Sequence, residues 1–404
     1  MTQIQPAANL QDTPKRPRVA SIDTLRGIIM LVMAIDHTRD FFHQPAMLYD
    51  PLNLDITTVP IFFTRWITHF CAPIFVFLSG ISAFISGQRK TTAQLSSFLV
   101  KRGIWLIIVE LVIVSFGITY DPTYSFFVLQ VIWAIGWSMV ILGLLVRTSY
   151  TIVIIVGAIL FFGHNIFDFI DPPKSVAAEV TLRLLFTSPG SILPLWPGHL
   201  ALVAYAILPW TAIMLLGYGF GKLYSRDFDA ARRRKILLMA GAGLMALFIL
   251  LRLIKVYGDP GHWSEQRNFV YSILSFINVT KYPVSLQYSC LTLGTACLFL
   301  AVMENVRNGF TRFVSVYGSV PFFYYILHFY LIHLLCMIAF FISGYGWDQA
   351  FNGGTPFAFR PIAFGYPLWG MYLVWLLVIL ILYYPCRWFS KYKREHSDWW
   401  LSYL

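Results

Sequence analysis

The sequence predicts an all-α, polytopic membrane protein of about ten transmembrane helices, with both termini in the cytosol. Three observations predict it. Hydrophobic residues make up 58% of the 404 and charged residues 12%, against roughly 45–50% and 25% in soluble domains. Apolar runs of about 20 residues recur along the chain, each long enough to cross a bilayer. Basic residues collect in the short segments between these runs, as the positive-inside rule requires. The net charge of +11 therefore reads as topology, not as a groove for nucleic acid, and the expected surroundings are a lipid bilayer.

Residues 1–18 form a polar tail carrying Lys15, Arg16 and Arg18. It lacks a signal peptide's order of charge, short apolar core and small-residue cleavage site, so the first apolar run is expected to be retained as a membrane helix. Spans are expected over 20–42, 60–86, 103–120, 124–146, 150–170, 200–221, 236–256, 284–304, 316–343 and 366–388. The third is short and is expected to begin nearer Phe98. The integral membrane domain runs over 19–389, and 390–404 is a second cytosolic tail. With the N-terminus inside, 20 of the 30 basic residues fall on the inner side and nine on the outer, with Arg26 in a span. Three outer loops are long, 171–199, 257–282 and 344–366. They are rich in Pro, Gly and aromatics, which suits either a cover over an acceptor site or interfacial anchoring. Within the first, 176–186 reads as a helix lying on the membrane surface. Cys71, Cys290, Cys297, Cys336 and Cys386 all lie in apolar segments with no CxxC spacing, so neither a disulfide framework nor a metal site is expected.

The chemistry centres on the first span. Arg26 and His37 are separated by ten residues. Eleven steps of about 100° return the helix to within roughly 20° of the same face, about 16.5 Å further along. Ionisable groups at membrane depth are expensive and are functional candidates by default. Arg26, near the cytosolic end, suits the phosphates of a cytosolic donor; His37, deeper, suits proton abstraction. Snorkelling for Arg26 and packing for His37 are the structural alternatives. Asp36 points about 100° away from His37 and is expected to meet Arg39 or another helix. His69, in the second span, is expected at a depth comparable to His37, sharing one cavity as an acid–base or orienting partner. His328 lies mid-span with Tyr324 one turn before it. Glu110 is a buried acid, either an arginine's partner or part of a proton relay. His43, His164 and His199 fall near the outer surface, within reach of an acceptor.

Ser21-Ile22-Asp23-Thr24-Leu25-Arg26-Gly27, followed by an apolar helix, resembles the opening of the heparan-α-glucosaminide N-acetyltransferase catalytic-domain family in its bacterial branch. Pro73-Ile74-Phe75-Val76-Phe77-Leu78-Ser79-Gly80, Thr280-Lys281-Tyr282-Pro283-Val284-Ser285-Leu286 and Val320-Pro321-Phe322-Phe323-Tyr324-Tyr325-Ile326-Leu327-His328 resemble later family motifs, in order. The Arg-x10-His spacing is also similar to the first helix of the wider transmembrane acyltransferase superfamily, including the type-three acyltransferases of surface polysaccharides. There the histidine is implicated in acyl transfer and the donor is cytosolic acyl-CoA. The lysosomal branch differs, with Asn at the place of His37, an acid at that of His69, and a histidine in the following loop at a spacing His43 does not match.

The resemblance implies a membrane-embedded acyltransferase, in the first instance an acetyltransferase, in a bacterial inner membrane. Acetyl-CoA or another acyl-CoA is the donor and a sugar or glycolipid at the outer face is the acceptor. His37 and His69 are then the catalytic candidates and Arg26 the donor-binding one. His43, His199, His328 and Tyr324 are candidates for touching the acceptor. The alternative is a proton-coupled transporter or flippase using His37, His69 and Glu110. Against it stands the lack of an internal repeat or of paired broken helices.

Overall fold

The computed structural model describes residues 19–171, 173–187 and 189–403; the tail with Lys15, Arg16 and Arg18 lies outside them. Helix α1 (Ala20–Phe42) carries Asp23 in its first turn and Arg39 in its last, each matching the helix dipole. Helix α2 (Val59–Trp66), a 3-10 turn at Ile67–Phe70 and α3 (Cys71–Gly87) form one apolar rod, Val59–Gly87. Helix α4 (Thr92–Val109) starts at a capping box made by Thr91 and Gln94. It continues through a π-helical turn, Glu110–Val114, into α5 (Ser115–Thr119). Strand β1 (Phe126–Leu129) leads into α6 (Val131–Leu145) and α7 (Tyr150–Gly163). Then come α8 (Val176–Leu182), β2 (Ser191–Trp196), β3 (His199–Val203) and α9 (Ile207–Phe220). Helices α10 (Ala230–Ile254), α11 (Phe269–Ile277), α12 (Leu286–Met303) and α13 (Gly309–Ser319) are capped by Asp229, Asn268, Ser285 and Asn308. The chain closes with α14 (Pro321–Ile342), the short α15 (Trp347–Ala350) and α16 (Leu368–Glu395).

The protein is an all-α polytopic membrane protein. Among the described residues, six helical stretches are long and apolar enough to cross a bilayer by length and composition. Helix α1 anchors the bundle, packing on α13, α14, α16 and α3. Its crossing with α13 is backbone on backbone. A Cβ on Gly27 would sit 1.9 Å from the Val314 carbonyl oxygen, and one on Gly318 1.9 Å from that of Asp23. Helices α3 and α9 meet in the same way, with Gly80 against Met214 and Gly217 against Phe77. Small residues allow this close approach where lipid supplies no hydrophobic drive.

Several expectations need correction. Apolar residues 126–129 and 200–203, expected inside spans, join a small sheet of order β1-β3-β2, with β1 parallel and β2 antiparallel to β3. Short apolar runs do not distinguish strand from buried helix by periodicity, and the parallel pairing is long-range. The span expected over 316–343 is two helices, because Val320 leaves helical geometry before Pro321. The third span begins at Thr92, where the capping box fixes its start. The surface helix in the first long loop is present as α8, prolonged by a π-helical turn to Thr187. The C-terminal segment folds back on the bundle, where Arg102 Nη1 donates to the Ser402 carbonyl at 2.8 Å.

Candidate active site

Arg26 lies nearly two turns into α1, where the Gly27–Val314 contact brings it under the end of α13. Its Nη1 donates to Asp23 (3.4 Å) and to the Gly318 carbonyl (3.3 Å), and its Nη2 to the Ser82 hydroxyl (3.0 Å). Arg26 borders a cavity of about 220 Å³ with Arg102 of α4, Lys393 of α16 and Ser79, Ser82 and Ser86 of α3. Three cations and, with Ser319, four hydroxyls face this space, and no carboxylate is among its lining residues. That arrangement attracts an anion. Because Lys393 and Arg26 share it, both ends of the described chain lie at one end of the bundle.

A narrower apolar cavity of about 90 Å³ follows, walled by Arg26, Met30, Phe75, Val131 and Tyr325 among others. Phe75 and Val131 also wall the next cavity, of about 210 Å³, which contains His37. Here the charges come in pairs. Asp36 is ion-paired with Arg65 of α2 and lies 3.6 Å from Arg39, while Arg39 is 2.7 Å from Asp40. Asp36 thus meets both of the partners expected of it. Lys281, Tyr282 and Tyr205 complete the wall, with the Lys281 ammonium 5.0 Å from the Tyr282 ring centre. A fourth cavity, of about 590 Å³, shares Arg65, Lys281 and Tyr282 with this one and reaches the loops at Asp50, Gly261 and His262.

The structure brings Arg26 and His37 onto one line of adjoining cavities, and it separates the other candidates. His69 does not share the cavity of His37; it lines the fourth one. Its Nδ1 is buried with no hydrogen-bond partner among the described residues, and its carbonyl accepts the Tyr288 hydroxyl at 2.6 Å. The ring next to His37 is His328, with centroids 5.2 Å apart. His328 and Tyr324 are fully buried and stacked on each other at 5.5 Å, behind the cavity walls rather than among the lining residues. His43 ends α1; its carbonyl accepts from Arg360 (2.9 Å), and its main chain pairs with Tyr366. His199 packs on Trp196 at the turn between β2 and β3, away from the four cavities. His164 is buried, its Nε2 2.8 Å from the Val284 carbonyl. Glu110 accepts the Gln130 N–H at 2.6 Å through Oε1, and its Oε2 is buried and unpartnered. Neither carboxylate oxygen meets an arginine among the described residues.

Arg65, Arg102, Lys281 and Tyr282 join the site without having been singled out as site residues. Their signal was position, a basic or phenolic group at the edge of an apolar run. Two further arginines serve the scaffold. Arg252 donates to the carbonyls of Phe276, Gly261, Ser275 and Asn278, and Arg360 to those of Asp40, His43, Pro361 and Phe364. No group of three or more metal-ligating side chains occurs among the described residues.

Comparison with known proteins supplies the chemical frame. A family model described as "Heparan-alpha-glucosaminide N-acetyltransferase, catalytic" matches residues 18–253, more than half of the chain. The match contains Arg26, His37, Arg65, His69 and Arg102, and stops before Lys281 and His328. No curated protein matches the chain.

Proposed function

Because the chain belongs to the heparan-alpha-glucosaminide N-acetyltransferase catalytic family, and so is a multi-pass membrane transferase, we propose that it moves an acyl group, in the first instance acetyl, from cytosolic acyl-CoA to an acceptor at the outer face. One observation carries this reading, the series of cavities that share walls from Arg26 through Phe75 and Val131 to His37, and through Arg65 and Lys281 to the outer loops. Arg26 and Arg102 hold the donor's phosphates, which a guanidinium recognises through several donors at once. The narrow apolar stretch takes the thin thioester-bearing arm. His37 is the base that removes the proton of the acceptor hydroxyl or amine as it attacks the thioester carbonyl.

The acceptor is a sugar or glycolipid reaching His37 from the outer cavity, past Tyr282, Lys281 and His69. A large, mixed polar and aromatic space suits such a molecule. In the membrane this places the Arg26 end at the cytosol, as the loop charges suggest, and the proposed home is a bacterial inner membrane. The test is transfer of label from acetyl-CoA by purified His37→Ala protein. Turnover should fall to background while the protein keeps its fold and its affinity for acetyl-CoA. Wild-type turnover would overturn the reading, and uptake driven by a pH gradient with no CoA released would favour a transporter instead.

A further inference from the structure

His328 sits one layer behind His37. Its Nδ1 is 2.5 Å from the Tyr325 carbonyl oxygen. A carbonyl only accepts, so Nδ1 carries the hydrogen and Nε2 is left as a lone pair. That Nε2 is buried with no partner among the described residues. A buried acceptor without a donor is costly and calls for a reason. The ring of His37 supplies one. Centroids 5.2 Å apart and tilted by 56° make the two rings neighbours, close enough for one bridging water, or a small turn of either ring, to join a nitrogen of each. Phe329 packs on both rings at 4.3 Å, and Tyr324 stacks parallel to His328 from the other side. Both imidazoles are therefore held in place. The nearest carboxylate in sequence, Asp36, is engaged by Arg65 and Arg39.

We propose that His328 is the positioning residue for His37. Its Nε2 accepts a hydrogen bond from one ring nitrogen of His37, through one water or a small turn of the ring, and so fixes the tautomer whose other nitrogen turns its lone pair to the cavity. The inference rests on the reading of His37 as the base. In the reaction, that lone pair takes the acceptor's proton while the acceptor oxygen or nitrogen bonds to the thioester carbonyl carbon. The carbon–sulfur bond then breaks, and His37 returns the proton to the departing thiolate, leaving acylated acceptor and free thiol. His328 neither gains nor loses a proton. It does the orienting work that a carboxylate does in other triads, without burying a further charge.

The test compares full-length wild-type, His328→Leu and His328→Gln proteins in lipid vesicles, with labelled acetyl-CoA as donor and glucosamine as acceptor probe. In His328→Leu, kcat should fall by about 10²–10⁴-fold, the range seen when an orienting group is lost, with KM for acetyl-CoA within about twofold. The amide oxygen of His328→Gln can accept the same hydrogen bond, so that variant should recover about tenfold or more of the loss. Nitrogen-15 magnetic resonance of histidine-labelled protein gives a readout independent of turnover. The His37 signals, identified by their loss in His37→Ala, should show one tautomer in wild type and in His328→Gln and a mixture in His328→Leu. Wild-type kcat in His328→Leu, or His37 in the same tautomer in all three proteins, overturns the proposal. If His37→Ala itself turns over normally, the base assignment has failed before this one.

Discussion

The two ends of the cavity series are built on different electrostatic plans. At the Arg26 end, Arg102, Lys393 and serines line a space whose wall contains no carboxylate. At the His37 end, Asp36 and Asp40 are matched against Arg39 and Arg65. A wall rich in cations suits a charge that arrives with a ligand. A neutralised cluster holds its own geometry and leaves the reacting atoms in a field that does not change on binding. The contrast teaches that charge at membrane depth has two uses here, capture at one end and rigidity at the other.

Substitutions at each end should therefore fail in different ways. The largest effect is expected from Arg65→Leu, which leaves the Asp36 carboxylate in a buried wall with only Arg39, 3.6 Å away, to balance it. Breaking one partner of such a pair costs about 3–5 kcal/mol, to be read as a drop in the unfolding temperature of the purified protein. Adding Asp36→Asn should return more than half of the loss; an unchanged unfolding temperature in Arg65→Leu would mean that the pair does not hold the wall. A smaller effect, confined to binding, is expected at the other end. Arg102→Gln should raise KM for acetyl-CoA about tenfold, equivalent to about 1.4 kcal/mol, and leave kcat unchanged. A fall in kcat with KM constant would place Arg102 in the chemistry instead. The smallest effect comes from salt. Raising ionic strength from about 0.1 to 1 M shortens the screening length from about 10 to 3 Å. KM for acetyl-CoA should then rise by about two- to threefold, while the buried pairs at the His37 end keep the unfolding temperature steady. Equal sensitivity of both quantities would dissolve the distinction.

How much of this was legible depended on how local the signal was. The Arg26–His37 stripe needs only helix periodicity, and the structure keeps both residues on one line of cavities. Asp36 meeting Arg39 needs only the same geometry. The neighbour of His37 was not legible, since nothing in the spacing says that α14 sets His328 against it while the rod, which pairs Arg65 with Asp36, carries His69 into a different cavity. The β strands were missed because Phe126–Leu129 looks the same to a hydropathy count whether it pairs with a strand or continues a helix. One signal was present and undervalued. The nine basic residues on the expected outer side run against the charge bias, and four of them, Arg39, Arg252, Lys281 and Arg360, are buried in the structure. A cation that breaks the positive-inside pattern has a partner inside the protein to justify it.

The backbone contact of Gly27 with Val314 and of Gly318 with Asp23 has a consequence for substrate size. It pins α1 to α13, α13 passes directly into α14, and α14 carries the ring that touches His37. The anion mount and the base are thereby fastened to the same frame, which acts as a calliper of set opening. Under the proposed reaction, a donor whose arm is too short never reaches His37. One whose acyl chain is long must fold into the cavity of about 210 Å³ around His37, since the arm fills the passage between Phe75 and Tyr325. The enzyme would then gauge its donor by length before any chemistry begins, favouring two- or three-carbon acyl groups, and widening that gauge would take a change at the walls of that cavity.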